Sequence, residues 1–361
     1  MMRRKLLPRA KDFFKIILKD KQRKSLPKIL FEFSKYCLTD QALAEQYFSK
    51  YLYRKSALNP NDYIVTRKIT AKCWDLNNKD YSLILKNKKL SELFFVKNNI
   101  RVVKSLAQNF GTIFISGTDF LQLNSAGEFR DFLQKIMKES VNGNGIFIKK
   151  NCDSCGGKNT FMISAEQILN TNSNFESVYK NLISSEYIFQ EILIQHNDLN
   201  KLNPTCINTL RLDTFTNNKS ETKILSGFLR LGLGNGIVDN VSSGGVYVAI
   251  KPGEGILNCE GYSDFTHGKG RTYKNHPLTN QLFEGFKLPF YEEAERLVID
   301  AAQKIPQVKI IGWDVAFLPD GPVIIEGNGH PGLHFSEIGQ KGFRNNPVFS
   351  EMYSEAMITE S

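Results

Sequence analysis

Long apolar runs are missing from this 361-residue chain, and cysteine is scarce. No stretch approaches the roughly 20 apolar residues that a membrane-spanning helix needs. In the opening MMRRKLLPRAKDFFKIILKDKQRKSLPKIL, charges break every apolar run, and the pieces FF and IIL are too short for the core of a secretion signal. A cytoplasmic protein is therefore expected. The six cysteines, at 37, 73, 152, 155, 206 and 259, read as reduced thiols in that compartment. Cys152 and Cys155 form a CxxC, but zinc needs two further ligands at suitable spacing, and neither a second CxxC nor a histidine pair supplies them. The pair reads as incidental to its loop. Internal repeats and low-complexity tracts are also missing, so a repeat array is not expected.

Charge is unevenly spread. The net charge is +10, yet residues 1–30 hold eleven Lys or Arg against two Asp, which leaves 36 basic and 35 acidic residues in the rest. A body this close to neutrality is not a nucleic-acid binder. The basic segment has two readings. It is a solvated surface helix, or an interfacial helix held peripherally at the inner membrane face by anionic lipid, with Phe13, Phe14, Ile16, Ile17 and Leu18 as its apolar contribution.

What remains is a globular composition, 41% hydrophobic and 23% charged. Residues 1 to about 58 carry helical patterning, and ALNPND at 57–62 marks a boundary. Beyond it, GTIFIS, GIFIKK, FMIS, YIFQEILI, NTLRLDTFT, KILSGFLRLGLG and GGVYVAI read as strands. EFRDFLQKIMKES and PFYEEAERLVIDAAQKI read as amphipathic helices, the second with acids in its first half. Strands and helices mix without βαβ alternation, which predicts an α+β fold of antiparallel sheets with helices packed on them.

The chemistry concentrates in IIGWDVAFLPDGPVIIEGNGHPGL, residues 310–333. PDGP suits a chain reversal. Centred on Asp320, it sets Asp314 opposite Glu326, with Asn328 on the same face two residues on. Facing carboxylates repel unless a proton or a cation lies between them, and an all-oxygen set suits magnesium. The apolar neighbours argue against an ordinary hairpin with a wet face. Magnesium in turn points to phosphate, for which three stretches are suited. Lys149 and Lys150 end a strand before the Gly156-Gly157 loop, whose backbone N–H groups can approach phosphate oxygens. Lys88 begins a helix. Arg230 precedes Asn240 and a Ser-Ser-Gly-Gly turn, and Arg211 lies on the preceding strand; arginines within an apolar sheet need anionic partners.

In this order the parts resemble the ATP-grasp superfamily, specifically its sugar-transfer-associated members. QEILIQHNDLNKLNPTCINTLR and GWDVAFLPDGPVIIEGNGHPGL carry the resemblance most specifically. The resemblance implies two α+β subdomains clasping ATP over residues 59–345, with the basic helical segment over 1–58 and a tail over 346–361 outside it. It assigns Lys88 and Lys149, or Lys150 in the alternative register, to the phosphates. Gln190, Glu191, Ile192 and Leu193 become an adenine-binding hinge, although the family pattern often has an acid where Gln190 stands. Asp198 or Asn197 meets the ribose, and Asp314, Glu326 and Asn328 hold magnesium. Arg211, Arg230 and Asn240 stabilise the transferring phosphoryl group or an acyl phosphate. The implied activity is ATP-dependent carboxylate–amine ligation on a sugar or glycan precursor of capsule or cell-surface polysaccharide. A hydroxyl-directed kinase and a nucleotide-binding scaffold of a glycan-assembly complex are the alternatives. His330 and His334 read as turn or packing residues, with His330 within reach of substrate.

Overall fold

The structure is a computed structural model that describes residues 15–40, 44–152, 159–234, 239, 244–251, 253–265 and 270–358. Two antiparallel sheets form its frame. The first holds six strands in the order β3-β2-β1-β6-β4-β5: β1 (Ser105–Phe110), β2 (Ile113–Ser116), β3 (Asp119–Gln122), β4 (Gly145–Lys150), β5 (Thr160–Ser164) and β6 (Glu186–Glu191). The second holds seven, in the order β11-β10-β9-β8-β7-β12-β13. These are β7 (Leu210–Thr216), β8 (Thr222–Leu231), β9 (Val246–Lys251), β10 (Ile256–Ser263), β11 (Thr272–Tyr273), β12 (Ile310–Leu318) and β13 (Gly321–Asn328). The fold is thus the expected α+β arrangement.

Alternation along the strands explains how each sheet is covered. In the six-stranded sheet, Ile146 and Ile148 of β4 and Phe189 of β6 face a core with Phe129, Phe132, Leu133 and Ile136 of the helix Ala126–Lys138. That helix starts where Ser125 accepts a bond from the Glu128 N–H, and it ends with Lys135 and Lys138, cations suited to the C-terminal end of the helix dipole. In the seven-stranded sheet, Leu210, Leu212, Leu229, Val248, Ile311, Trp313 and Val315 face the helix Tyr291–Gln303, which contributes Ala294, Val298, Ala301 and Ala302. The opposite face carries Arg211, Arg230 and Asp314, and beside them Phe228 and Tyr247 enter a separate aromatic core.

Residues 17–57 share a core with this second sheet. Ile17, Ile29, Tyr36, Tyr47, Tyr51 and Tyr53 pack with Tyr247, Tyr262, Phe265 and Ile338. Arg54 binds Asp20 at 2.6 Å and Glu260 at 2.7 Å. Burial of Ile17, with Ile16 packed beside it, turns both away from any bilayer and removes them from the expected interfacial set. Leu18 stays exposed, and Phe13 and Phe14 lie outside the described residues. Residues 346–361, expected as a tail, include the helix Pro347–Ile358, whose Phe349 and Met352 are buried. No helix among the described residues is long and apolar enough to cross a membrane.

One buried ion pair ties the N-terminal part to the helix Leu333–Gly339. Lys50 Nζ lies 2.7 Å from Glu337, both side chains are almost wholly buried, and Val65 donates its N–H to Glu337 and accepts from Lys50. Removing one partner strands the other charge in the interior. Lys50→Met is expected to cost about 3–5 kcal/mol, read as a lowered melting temperature. The double variant Lys50→Met/Glu337→Gln should recover much of that loss.

Candidate active site

Four strands build the polar face. Asp314 on β12 pairs with Arg211 on β7 and with Glu326 on β13, forming one rung across the sheet. The next rung is Asp213, Gly312 and Asn328. Directly paired residues point to the same side, so these groups converge. Asp314 accepts from Arg211 Nε at 2.6 Å and from an Arg230 Nη at 2.8 Å, one arginine on each oxygen. Arg230 also donates to Thr209 Oγ1 at 2.6 and 2.8 Å. Thr209 in turn donates its N–H and its hydroxyl to Asp239. Burial alone would raise the Asp314 carboxyl, but the charges and hydrogen bonds of Arg211 and Arg230 prevail and hold it below the usual carboxylate range. Burial raises Asp239 and Asp213 despite their arginine neighbours.

The Asp314–Glu326 pairing arises by a route the hairpin's sequence does not reveal. From Leu318↔Gly321 to Val315↔Ile324 the register is that of a two-residue tip, Pro319 and Asp320. Continued unchanged, it would set Asp314 opposite Ile325. A bulge at Ile325 shifts the register by one and restores Glu326 to the rung.

The other wall of the cleft comes from the six-stranded sheet. Lys149 on β4 and Gln190 on β6 line it, with Lys88, Glu92, Ile324 and Glu326. Lys149 points away from the core that takes Ile146 and Ile148, whereas Lys150, one residue on, points to the opposite face. Asn151 then brings in Lys88: its carbonyl accepts from the Lys88 N–H at 3.1 Å and its side chain from the Lys89 N–H at 3.0 Å. Lys88 Nζ lies 3.8 Å from Glu326. Burial lowers the Lys149 ammonium to about 8, with Lys88 acting in the same direction and Glu326, Asp314 and Glu92 opposing it.

Between the sheets the chain crosses at residues 192–196. Asn142 donates to the Ile192 carbonyl at 2.7 Å, and the His196 N–H reaches the Phe317 carbonyl at 2.8 Å. Leu193 packs on Val103, Ala316 and Val323 at the floor. Gln190 donates to the Val103 carbonyl, while Glu191 turns outward to accept from the Val141 N–H. Asp198 sits in the first turn of the helix Asn197–Leu202, bound to Lys201 at 2.6 Å, and is not among the residues lining the cleft. Gly156, Gly157 and Asn240 lie outside the described residues.

Among the described residues no three His, Cys, Asp or Glu gather as a metal cluster. The hard oxygens of Asp314, Glu326 and Asn328 nevertheless suit magnesium. Each Asp314 oxygen, and the Asn328 oxygen that accepts from the His330 N–H, retains acceptor capacity. Sequence reasoning missed Thr209, Asp239, Glu92 and Asp213. Asp213 was legible, since alternation in LRLDTF puts it on the face of Arg211.

A family model described as sugar-transfer associated ATP-grasp matches residues 74–348. The chain belongs to that family. No curated protein matches it. Its fold is similar to that of D-alanine–D-alanine ligase from Bacillus anthracis complexed with ATP, at 13% identity and a TM-score of 0.41, covering 79% of this chain and 69% of that one. Phosphoribosylamine–glycine ligase from Thermotoga maritima gives 13% identity and a TM-score of 0.45, covering 77% and 56%. With D-alanine–D-alanine ligase from Coxiella burnetii the values are 10% and 0.41, and this ATP-grasp chain spans 62% of that chain's length while 79% of its own is covered.

Lys149 generates a prediction of opposite sign for stability and binding. Its folded value of about 8 lies below the ordinary 10.5, so burying the charged form costs stability below pH 8. That cost is relieved as pH rises between the two values. Lys149→Met should therefore melt higher than wild type at pH 7, lose the advantage above the ordinary lysine value, and bind ATP more weakly. Calorimetry with and without ATP at both pH values checks this.

Proposed function

We propose that this ATP-grasp protein is an ATP-dependent carboxylate–amine ligase that modifies a sugar or glycan precursor on the cytoplasmic side of the membrane. The convergence of Lys88, Lys149, Arg211 and Arg230 around Asp314 and Glu326 carries the reading. ATP and a carboxylate are both anions, so bringing them together requires charge neutralisation and positioning above all. Lys88 and Lys149 bind the phosphates, with residues 190–193 receiving adenine. An entering polyphosphate favours the charged form of Lys149.

A carboxylate oxygen of the substrate attacks the γ-phosphorus and the bond to the β-phosphate oxygen breaks, giving ADP and an acyl phosphate. The amine then attacks the acyl carbon, the carbon–oxygen bond to phosphate breaks, and phosphate and a proton leave. Arg211 and Arg230 face the developing charge. Asp314, Glu326 and Asn328 would hold magnesium, which when bound neutralises phosphate charge. No protein nucleophile is needed, so the cysteines have no part. The family description supports a sugar-linked substrate, with an amino acid joined to a sugar carboxylate, or an acyl group to an aminosugar, as the matching chemistry.

Release of ADP and phosphate with a panel of amino acids and uronic acids tests the activity. A ligase releases both in equal amounts, a kinase leaves phosphate on its product, and a scaffold releases neither. Glu326→Gln is the sharper variant, because Asp314→Asn also removes the counter-charge between two buried arginines. Turnover in Glu326→Gln should fall about a hundredfold or more with little change in melting temperature. Wild-type turnover at limiting magnesium would remove Glu326 from the site.

A further inference from the structure

The helix Leu26–Asp40 presents an apolar face that no other part of the described chain covers. Ile29 and Tyr36 are buried in the aromatic core, with Phe33 packed against it. On the far side, Leu26, Leu30, Phe31 and Leu38 are 44%, 66%, 70% and 83% exposed. At 3.6 residues per turn these four span an arc of about 140°, with Lys35 and Lys28 within about 60° beyond it. Both lysines are exposed.

The charges around this face are sorted by sign. The two acids among described residues 15–38 are turned inward: Asp20 binds Arg54 at 2.6 Å, and Glu32 binds Lys24 at 2.6 Å and Tyr47 at 3.0 Å. Lys15, Lys19, Lys21, Lys28 and Lys35 remain at the surface. An apolar stripe whose exposed charged neighbours among residues 15–38 are lysines is complementary to an anionic lipid surface, which takes the stripe into its headgroup–acyl boundary and the ammonium groups among its phosphates.

We propose that the Leu26–Asp40 helix is a membrane-docking face, with Leu30, Phe31 and Leu38 entering an anionic bilayer. The contact differs from the one the sequence points to, since Ile16 and Ile17 belong to the protein's own core. It holds the enzyme peripherally at a bilayer and does not depend on the ligase reading.

The test uses the full-length protein with vesicles of phosphatidylcholine alone, or with about one-third phosphatidylglycerol, at low and high salt. Wild type should co-sediment with the anionic vesicles only, and a Phe31→Trp variant should shift its emission to the blue on binding them. Leu30→Ser/Phe31→Ser should partition about tenfold less, with melting temperature and vesicle-free ATP turnover unchanged. Indifference of wild type to anionic lipid overturns the proposal. So does a double variant that binds as wild type, which moves the contact to another part of the basic segment. A wild-type dimer in sedimentation velocity that the double variant dissolves also overturns it, by giving the face to a second copy.

Discussion

A single buried carboxylate between two guanidinium groups organises the seven-stranded sheet. Asp314 on β12 takes one arginine from β7 and one from β8, and the three strands are thereby held at one level. Neither arginine is tolerable there alone, since a buried unpaired charge is strongly unfavourable. Each also has a second acid nearby, Asp239 for Arg230 and Asp213 for Arg211. The result is a site assembled before any substrate arrives. On the proposed reading, entering anions would meet fixed cations in place of mobile water, the form electrostatic catalysis takes.

Preorganisation extends to the opposite wall by different means. Nothing in the sequence neighbourhood of Lys88 connects it to Lys149, yet Asn151 bonds to the start of the Lys88 helix through both backbone and side chain. Two lysines from separate elements are thus brought to one cleft, and their mutual repulsion is offset by Glu326 and Glu92. A second tie lies at the floor, where the Val103 N–H bonds to the Ile324 carbonyl and residues 101–103 run beside β13 before entering the other sheet.

Legibility in the sequence followed periodicity. The helix Tyr291–Gln303 and strands β4, β7, β8 and β9 were readable because alternation or helical spacing persists through them. The choice between Lys149 and Lys150 was open to the same reasoning, given that Ile146 and Ile148 face the core. Short strands such as β1 and β3 escaped, and β10 is broken by a register shift between Leu257 and Gly261 that defeats a simple pattern. The contact of Thr209 with Asp239 was invisible because thirty residues separate the two along the chain. The tyrosine core of residues 36–53 was hidden for another reason: its partners, Tyr247 and Tyr262, lie about two hundred residues away, and local pattern says nothing of them.

The bulge at Ile325 makes the length of the hairpin a matter of parity. Glu326 and Asn328 face Asp314 because one odd step is already present between them and the tip. With the tip pairing kept, one residue more or fewer between Gly321 and Ile325 would turn both side chains to the apolar face, unless the bulge were lost at the same time. A change of two residues would leave their direction intact. Length along β13 between the tip and Glu326 is therefore constrained in steps of two residues, or of one residue traded against the bulge.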